Sequence, residues 1–255
     1  MTLNTNEIVY TADLMNISPA NDAQIYGLSG DWIISGLQLT SITATSAVLT
    51  AGKAIIQGRL FELKANTTYT LTAGSTQYLG IGIDLSQANS DNADGTIINN
   101  QFTVGTSTSV FGDTRLGDIQ AFVGLYQVNP VNRTSTQLVF PYYFTKDLTT
   151  GYGDVGFPAD TITGRPTVRR IGKNVQVNGV LNNAATVNNG QVNLVMRTLP
   201  EGCRPTNRLF GTSPSAGRVF EVDIDPNGNI LLTNYTGSAI KAKSFISITF
   251  NFMTA

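Results

Sequence analysis

Along this chain hydrophobic residues recur at every second position, in short runs separated by small polar residues. From Gln77 to Asp84, Leu79, Ile81 and Ile83 alternate with Tyr78, Gly80 and Gly82, the period of two that marks a half-buried strand. From Ser244 to Met253, Ile246, Ile248, Phe250 and Phe252 alternate with Phe245, Ser247, Thr249 and Asn251, so one face is strongly apolar. Further strand signals cover 32–39, 46–50, 53–63, 67–72, 96–104, 119–127 and 137–144. They resume over 167–171, 174–181, 191–196, 218–224 and 230–233. Between them, Ala51-Gly52, Ala73-Gly74-Ser75, Gly172-Lys173 and Asp225-Pro226-Asn227-Gly228 supply the residues that turns require. Strands at roughly ten-residue intervals predict an all-β protein of sandwich or barrel type rather than βαβ units. The first twenty-odd residues are the only segment that reads as helical or irregular.

The texture changes at Thr149-Thr150-Gly151-Tyr152-Gly153-Asp154-Val155-Gly156-Phe157-Pro158. This Gly-rich stretch has too few apolar residues to offset its own ordering entropy. Either several chains pack around an axis there and supply the missing burial, or it is a flexible hinge. The predicted layout is an N-terminal domain over 1–147, a neck or linker over 148–164 and a smaller β domain over 165–255.

Composition narrows the function. Charged residues make up 13% of the 255 residues and the formal net charge is −1, about half the usual charged share. Surface polarity therefore falls to Thr, Ser, Asn, Gln and Gly. No basic cluster exists for a phosphate backbone, so nucleic acid is not expected as a partner. With 0 histidines, the commonest general base and zinc ligand are absent, as is every Ser-His or Cys-His pair. The single cysteine, Cys203, reads as a small buried hydrophobe. No basic-then-apolar leader is legible at the start, and no run approaches the roughly 20 apolar residues of a membrane span. A chain of this kind is expected to be made in a cytoplasm and to leave by lysis. No cofactor or metal is expected.

The densest charged site is Glu221-Val222-Asp223-Ile224-Asp225. In a strand, Glu221 and Asp223 share one face with Cα atoms about 6.5–7 Å apart, while Val222 and Ile224 point to the core. Three readings stay open: a solvated strand face, a pair that hydrogen-bonds sugar hydroxyls or an ion, or a glycosidase pair. Arg208 and Arg218, with Arg204, are donors available to an anionic group. Asp225 before Pro226 reads as a turn former. Tyr235 offers either a ring for a sugar face or simple packing. Gly80-Ile81-Gly82 lacks the strand-turn-helix setting of a phosphate cradle.

Two stretches of the N-terminal domain, Ala54-Ile55-Ile56-Gln57-Gly58-Arg59-Leu60-Phe61-Glu62-Leu63 and Tyr78-Leu79-Gly80-Ile81-Gly82-Ile83-Asp84-Leu85, resemble receptor-binding proteins of siphophages that infect lactic acid bacteria. Phe220-Glu221-Val222-Asp223-Ile224-Asp225-Pro226-Asn227-Gly228-Asn229-Ile230, approached by Leu199-Pro200-Glu201-Gly202-Cys203-Arg204-Pro205, is similar to the strand-turn-strand of their heads. The resemblance covers nearly the whole chain. It implies a β-sandwich or barrel shoulder docked to the baseplate and distal tail, a short interlaced neck, and a β-barrel head. It further implies a homotrimer in the virion tail that adsorbs to host cell-wall polysaccharide without catalysis or membrane insertion. Asp223 matches the family's saccharide-contacting aspartate. Glu221 stands where family heads often carry a histidine, and Leu232-Thr233 stand where an aromatic residue is frequent. The resemblance thus points to Asp223, Glu221, Tyr235, Arg218 and Arg208 as saccharide contacts. A structural baseplate subunit, or less favourably a glycan depolymerase, are the alternatives.

Overall fold

The computed structural model describes residues 23, 30–88, 90–91, 97–98, 100–148, 166–182, 186–215, 218–241 and 244–254. It divides into two compact units, 1–140 and 141–255. Strands dominate both, as the alternation predicts. Among the described residues no helix is long and apolar enough to cross a membrane.

The first unit contains β1 (Trp32–Gly36), β2 (Leu39–Ile42), β3 (Ser46–Leu49), β4 (Gly52–Ile56), β5 (Arg59–Leu63) and β6 (Thr67–Thr70). It continues with β7 (Gln77–Asp84), β8 (Ser90–Asp91), β9 (Ile97–Ile98), β10 (Phe102–Ser107), β11 (Gln120–Asn129) and β12 (Thr134–Gln137). These pair as antiparallel sheets in the orders β1-β4-β5, β2-β3-β6 and β10-β7-β11-β12, with a separate β8-β9 ladder. Leu37, Leu49, Ile56, Leu79, Ile81 and Leu125 are fully buried between them.

Two local details explain the sequence. The run 53–63 is not one strand but a hairpin, because Gln57 and Gly58 take φ of 47° and 76°, the two left-handed residues of a type I′ turn. Gly80 lies where β7 and β11 approach closely: a Cβ there would sit 2.1 Å from the Val123 carbonyl oxygen. The Gly80-Ile81-Gly82 run therefore serves backbone packing. Trp32, the only tryptophan, is buried in the first unit.

The second unit contains β13 (Tyr143–Asp147), β14 (Thr167–Ile171), β15 (Asn174–Asn182), β16 (Leu194–Thr198), β17 (Leu209–Ser215), β18 (Arg218–Ile224), β19 (Asn229–Thr233) and β20 (Phe245–Met253). Two four-stranded antiparallel sheets, β13-β14-β15-β20 and β16-β19-β18-β17, enclose one core. Val175, Val177, Phe220, Val222, Ile224, Leu232, Ile246 and Ile248 meet there, with Cys203 among them. Gly211 of β17 lies against the Phe250 ring of β20, where a Cβ would come within 2.7 Å of the ring.

The boundary differs from the expected 147. β13 pairs along its whole length with β14, from Tyr143↔Ile171 to Asp147↔Thr167, and this pairing ties the residues after Phe140 to the second unit. Of the neck expected over 148–164, only Leu148 is described. It is buried in the second unit's core and its N–H donates to the Pro166 carbonyl at 2.7 Å. The rest of that neck, like most of the chain before Gly30, lies outside the described residues.

Candidate functional site

The site is built by strand alternation on β18. Phe220, Val222 and Ile224 enter the core, so Glu221 and Asp223 face the other side of the sheet. Register then sets their neighbours. Asp223 lies opposite Phe210 of β17 and Leu231 of β19, and Glu221 opposite Thr212 and Thr233.

Arg208 enters this face from just before β17. Its Nη2 and Nε donate to Asp223 Oδ2 at 2.6 and 3.2 Å, and Nη2 also donates to Asn193 Oδ1 at 2.7 Å. The Arg208 guanidinium lies 5.4 Å from the centre of the Phe210 ring, a cation–π distance. Asn193, held at φ 52°, donates its own N–H to Thr233 Oγ1 at 3.0 Å. A loop residue and an arginine thus close over the strand face.

Burial of the members differs sharply. Asp223 is 1% exposed, whereas Phe210 is 73% exposed. Asp223 Oδ2 is satisfied by Arg208, but Asp223 Oδ1 is buried and no N–H of the described residues reaches it. Its neighbour is the half-buried Glu221 carboxyl. That carboxyl is raised above its ordinary range, first by the adjacent Asp223 carboxyl and then by burial, against an opposing pull from Arg208.

The structure brings Arg208, Asp223 and Glu221 together. Tyr235 is exposed two residues beyond the end of β19. It follows a loop organised by buried Asn234, whose Nδ2 donates to the Val187 and Ser238 carbonyls at 3.0 Å each. Arg218 opens β18 opposite Ser215, about 10 Å along the strand from Glu221, and its side chain lies outside the described residues. Arg204 donates instead to the Leu199 carbonyl at 3.3 Å. Asp225 is the turn former expected, accepting the Asn229 N–H at 2.8 Å.

Sequence reasoning missed Phe210 and Asn193. Phe210 carried one usable signal, an aromatic residue beside the arginine singled out as a donor. Asn193 carried none, because its role depends on a left-handed loop. A second feature lies on the outer side of the other sheet: a shallow groove of ≈ 400 Å³ lined by Tyr142, Arg169, Ile171, Asn174, Gln176 and Asn251. Arg169 stacks there over Tyr143 at 5.6 Å, but its polar residues are exposed and none is an orphaned buried group.

In the first unit the polar cluster is structural. Gln57 is buried and fully used: Nε2 donates to the Gly112 carbonyl at 3.1 Å, while Oε1 accepts the Thr114 N–H and hydroxyl at 2.9 and 2.8 Å. Arg59 donates to Thr114 Oγ1 at 2.6 Å, and Lys53 pairs with Glu62 across strands at 3.5 Å. Among the described residues no group of three or more His, Cys, Asp or Glu is placed to hold a metal ion.

No protein-family model matches this chain, and no curated protein matches it. Among solved structures, the chain is similar to the head domain of phage bIL170, from work on the receptor-binding domains of lactococcal phages. The match covers 44% of this chain and 99% of that one, at 22% identity and a TM-score of 0.32.

Proposed function

We propose that this chain is a phage receptor-binding protein whose second unit adsorbs to a saccharide of the host cell wall at the Arg208–Asp223–Phe210 face. One observation carries the reading: a fully buried carboxylate with one oxygen lacking a donor, on a strand face that also exposes a large aromatic ring. A sugar offers the complement, with hydroxyls to donate to the carboxylate and C–H faces to lie on the ring. Asn193 and Arg208 add amide and guanidinium groups at the same place. The sequence resemblance around Asp223 supports the same assignment.

The reading includes no catalytic step. Retaining glycosidases hold their two carboxyl groups roughly 5–5.5 Å apart, with the scissile bond between them. Asp223 is 1% exposed and tied to Arg208, so in this reading it holds a ligand rather than attacks one. The mechanism is reversible adsorption. A weak contact per head is multiplied by association as a homotrimer and by several trimers per tail, which raises avidity by about 10²–10⁴ without any new contact. In this proposal the first unit attaches to the baseplate, and the protein resides in the virion tail.

The test uses the full chain, fluorescently labelled, on a panel of bacterial strains with purified wall polysaccharide as competitor. Strain-selective binding that the polysaccharide displaces is the expected result. Binding to no strain, or binding that polysaccharide leaves untouched, overturns the proposal.

A further inference from the structure

Strand register fixes which charges meet on the outer face of the β16-β19-β18-β17 sheet. Glu221 and Asp223 share that face, with Cα atoms about 6.5–7 Å apart. Their cross-strand partners, Phe210 and Thr212 on β17 and Leu231 and Thr233 on β19, are all uncharged. Among the described residues, the cation placed against the two acids is Arg208, at 2.6 Å from Asp223 Oδ2. One guanidinium thus faces two carboxyl groups, a formal excess of one negative charge.

Two of the arginines that the sequence offered to an anionic ligand are otherwise engaged. Arg208 donates to Asp223 and to Asn193 Oδ1, and Arg204 donates to the Leu199 carbonyl. Asp223 Oδ1, on a residue 1% exposed, is meanwhile buried with no donor. Leaving a buried acceptor unmet is costly, so the face selects a ligand that brings a donor. An ionised phosphodiester or carboxylate brings only acceptors and a like charge. An ammonium brings three donors and the opposite charge.

We propose that the determinant recognised at this face is an amino sugar with a free amine, whose ammonium group donates to Asp223 Oδ1 and pairs with Glu221. The proposal rests on the reading of this face as the saccharide site and narrows the sugar. Charge-assisted N–H···O bonds run at about 2.7–2.9 Å, so one nitrogen reaches an oxygen of each carboxyl from between these neighbouring positions. Glu221 is half-buried, which leaves the pair open to solvent on its side. Phe210, opposite Asp223 and 73% exposed, offers a surface to the C–H face of the same sugar. N-acetylation turns the ammonium into a neutral amide with one N–H and removes the charge that Glu221 answers.

The experiment titrates wall polysaccharide from each strain of a panel into the full wild-type chain and into Glu221→Gln at neutral pH. Each polysaccharide is used as isolated and after N-acetylation with acetic anhydride in water. Glucosamine, N-acetylglucosamine and glucose 6-phosphate serve as competitors. Acetylation is expected to weaken wild-type binding at least ~10-fold, the worth of one hydrogen bond to a charged group. Glucosamine is expected to compete better than either other sugar. Glu221→Gln is expected to bind the untreated polysaccharide more weakly and to respond less to its acetylation. Wild-type binding unchanged by acetylation, competition by glucose 6-phosphate as strong as by glucosamine, or a Glu221→Gln chain with full wild-type sensitivity to acetylation overturns the amino-sugar assignment alone. No binding of polysaccharide from any strain overturns the saccharide reading together with it.

Discussion

Replacing Arg208 by alanine removes both donors that hold Asp223 Oδ2, at 2.6 and 3.2 Å, from a carboxylate only 1% exposed. Breaking a buried ion pair by deleting one partner costs about 3–5 kcal/mol, because the other charge stays buried. Here the Arg208 side chain is 35% exposed, so water follows it out and the cost falls to about 2–3 kcal/mol. For a unit of this size that is about 10 °C in Tm. Cys203 provides a local assay, since it is the only cysteine and is 1% exposed in the core of the same unit. Its labelling by a thiol reagent follows the opening equilibrium, so Arg208→Ala is expected to label about 30- to 140-fold faster. The double variant Arg208→Ala/Asp223→Asn is expected to recover at least ~1 kcal/mol, because no charge is left stranded. Labelling of Arg208→Ala within about twofold of wild type (below ~0.5 kcal/mol) would refute the view that Arg208 seals this carboxylate.

Other substitutions separate binding from folding. Phe210→Ala removes a side chain that is 73% exposed, so unfolding of the second unit is expected to change by less than ~0.5 kcal/mol, while adsorption to host cells weakens at least ~10-fold. Gly80→Ala would place a methyl group 2.1 Å from the Val123 carbonyl oxygen, and the strands must separate; a loss of ~3 kcal/mol or more in the first unit is expected, read by Trp32 fluorescence on denaturation. Asp84 is held down to about 2 by hydrogen bonds from Ser86 and Gln87. Its contribution is therefore present above the ordinary carboxylate value and lost as pH falls through about 2. The Ser86 N–H, which donates to Asp84 Oδ1 at 3.0 Å, is expected to keep its hydrogen-bonded amide chemical shift at pH 4 and to lose it only near that midpoint.

Much of this architecture was legible in the alternation. The faces of β7 and β20 follow the predicted period, and the turns at Gly172-Lys173 and Asp225–Gly228 fall where their residues demanded. β17 escaped notice because Leu-Phe-Gly-Thr-Ser-Pro-Ser mixes strand formers with Gly211 and Pro214, which ordinarily argue against a strand. As the edge of its sheet, β17 tolerates the missing proline N–H, and Gly211 makes room for Phe250. That omission hid Phe210, since its place beside Asp223 depends on the β17–β18 register. The Glu221–Asp223 pair was visible from spacing alone. Its burial was not, because Arg208 and Asn193 reach the face from segments outside β18. Tyr235 lies in the loop after β19 that buried Asn234 organises, an arrangement the strand pattern did not show.

The most direct test titrates purified wall polysaccharide into three full-length chains: wild type, Asp223→Asn, and Gln176→Ala as a control on the opposite sheet. The account expects Gln176→Ala to bind like wild type and Asp223→Asn to lose at least ~10-fold in affinity. Binding lost in Gln176→Ala and kept in Asp223→Asn would contradict it, and would move the receptor site to the groove between β14 and β15.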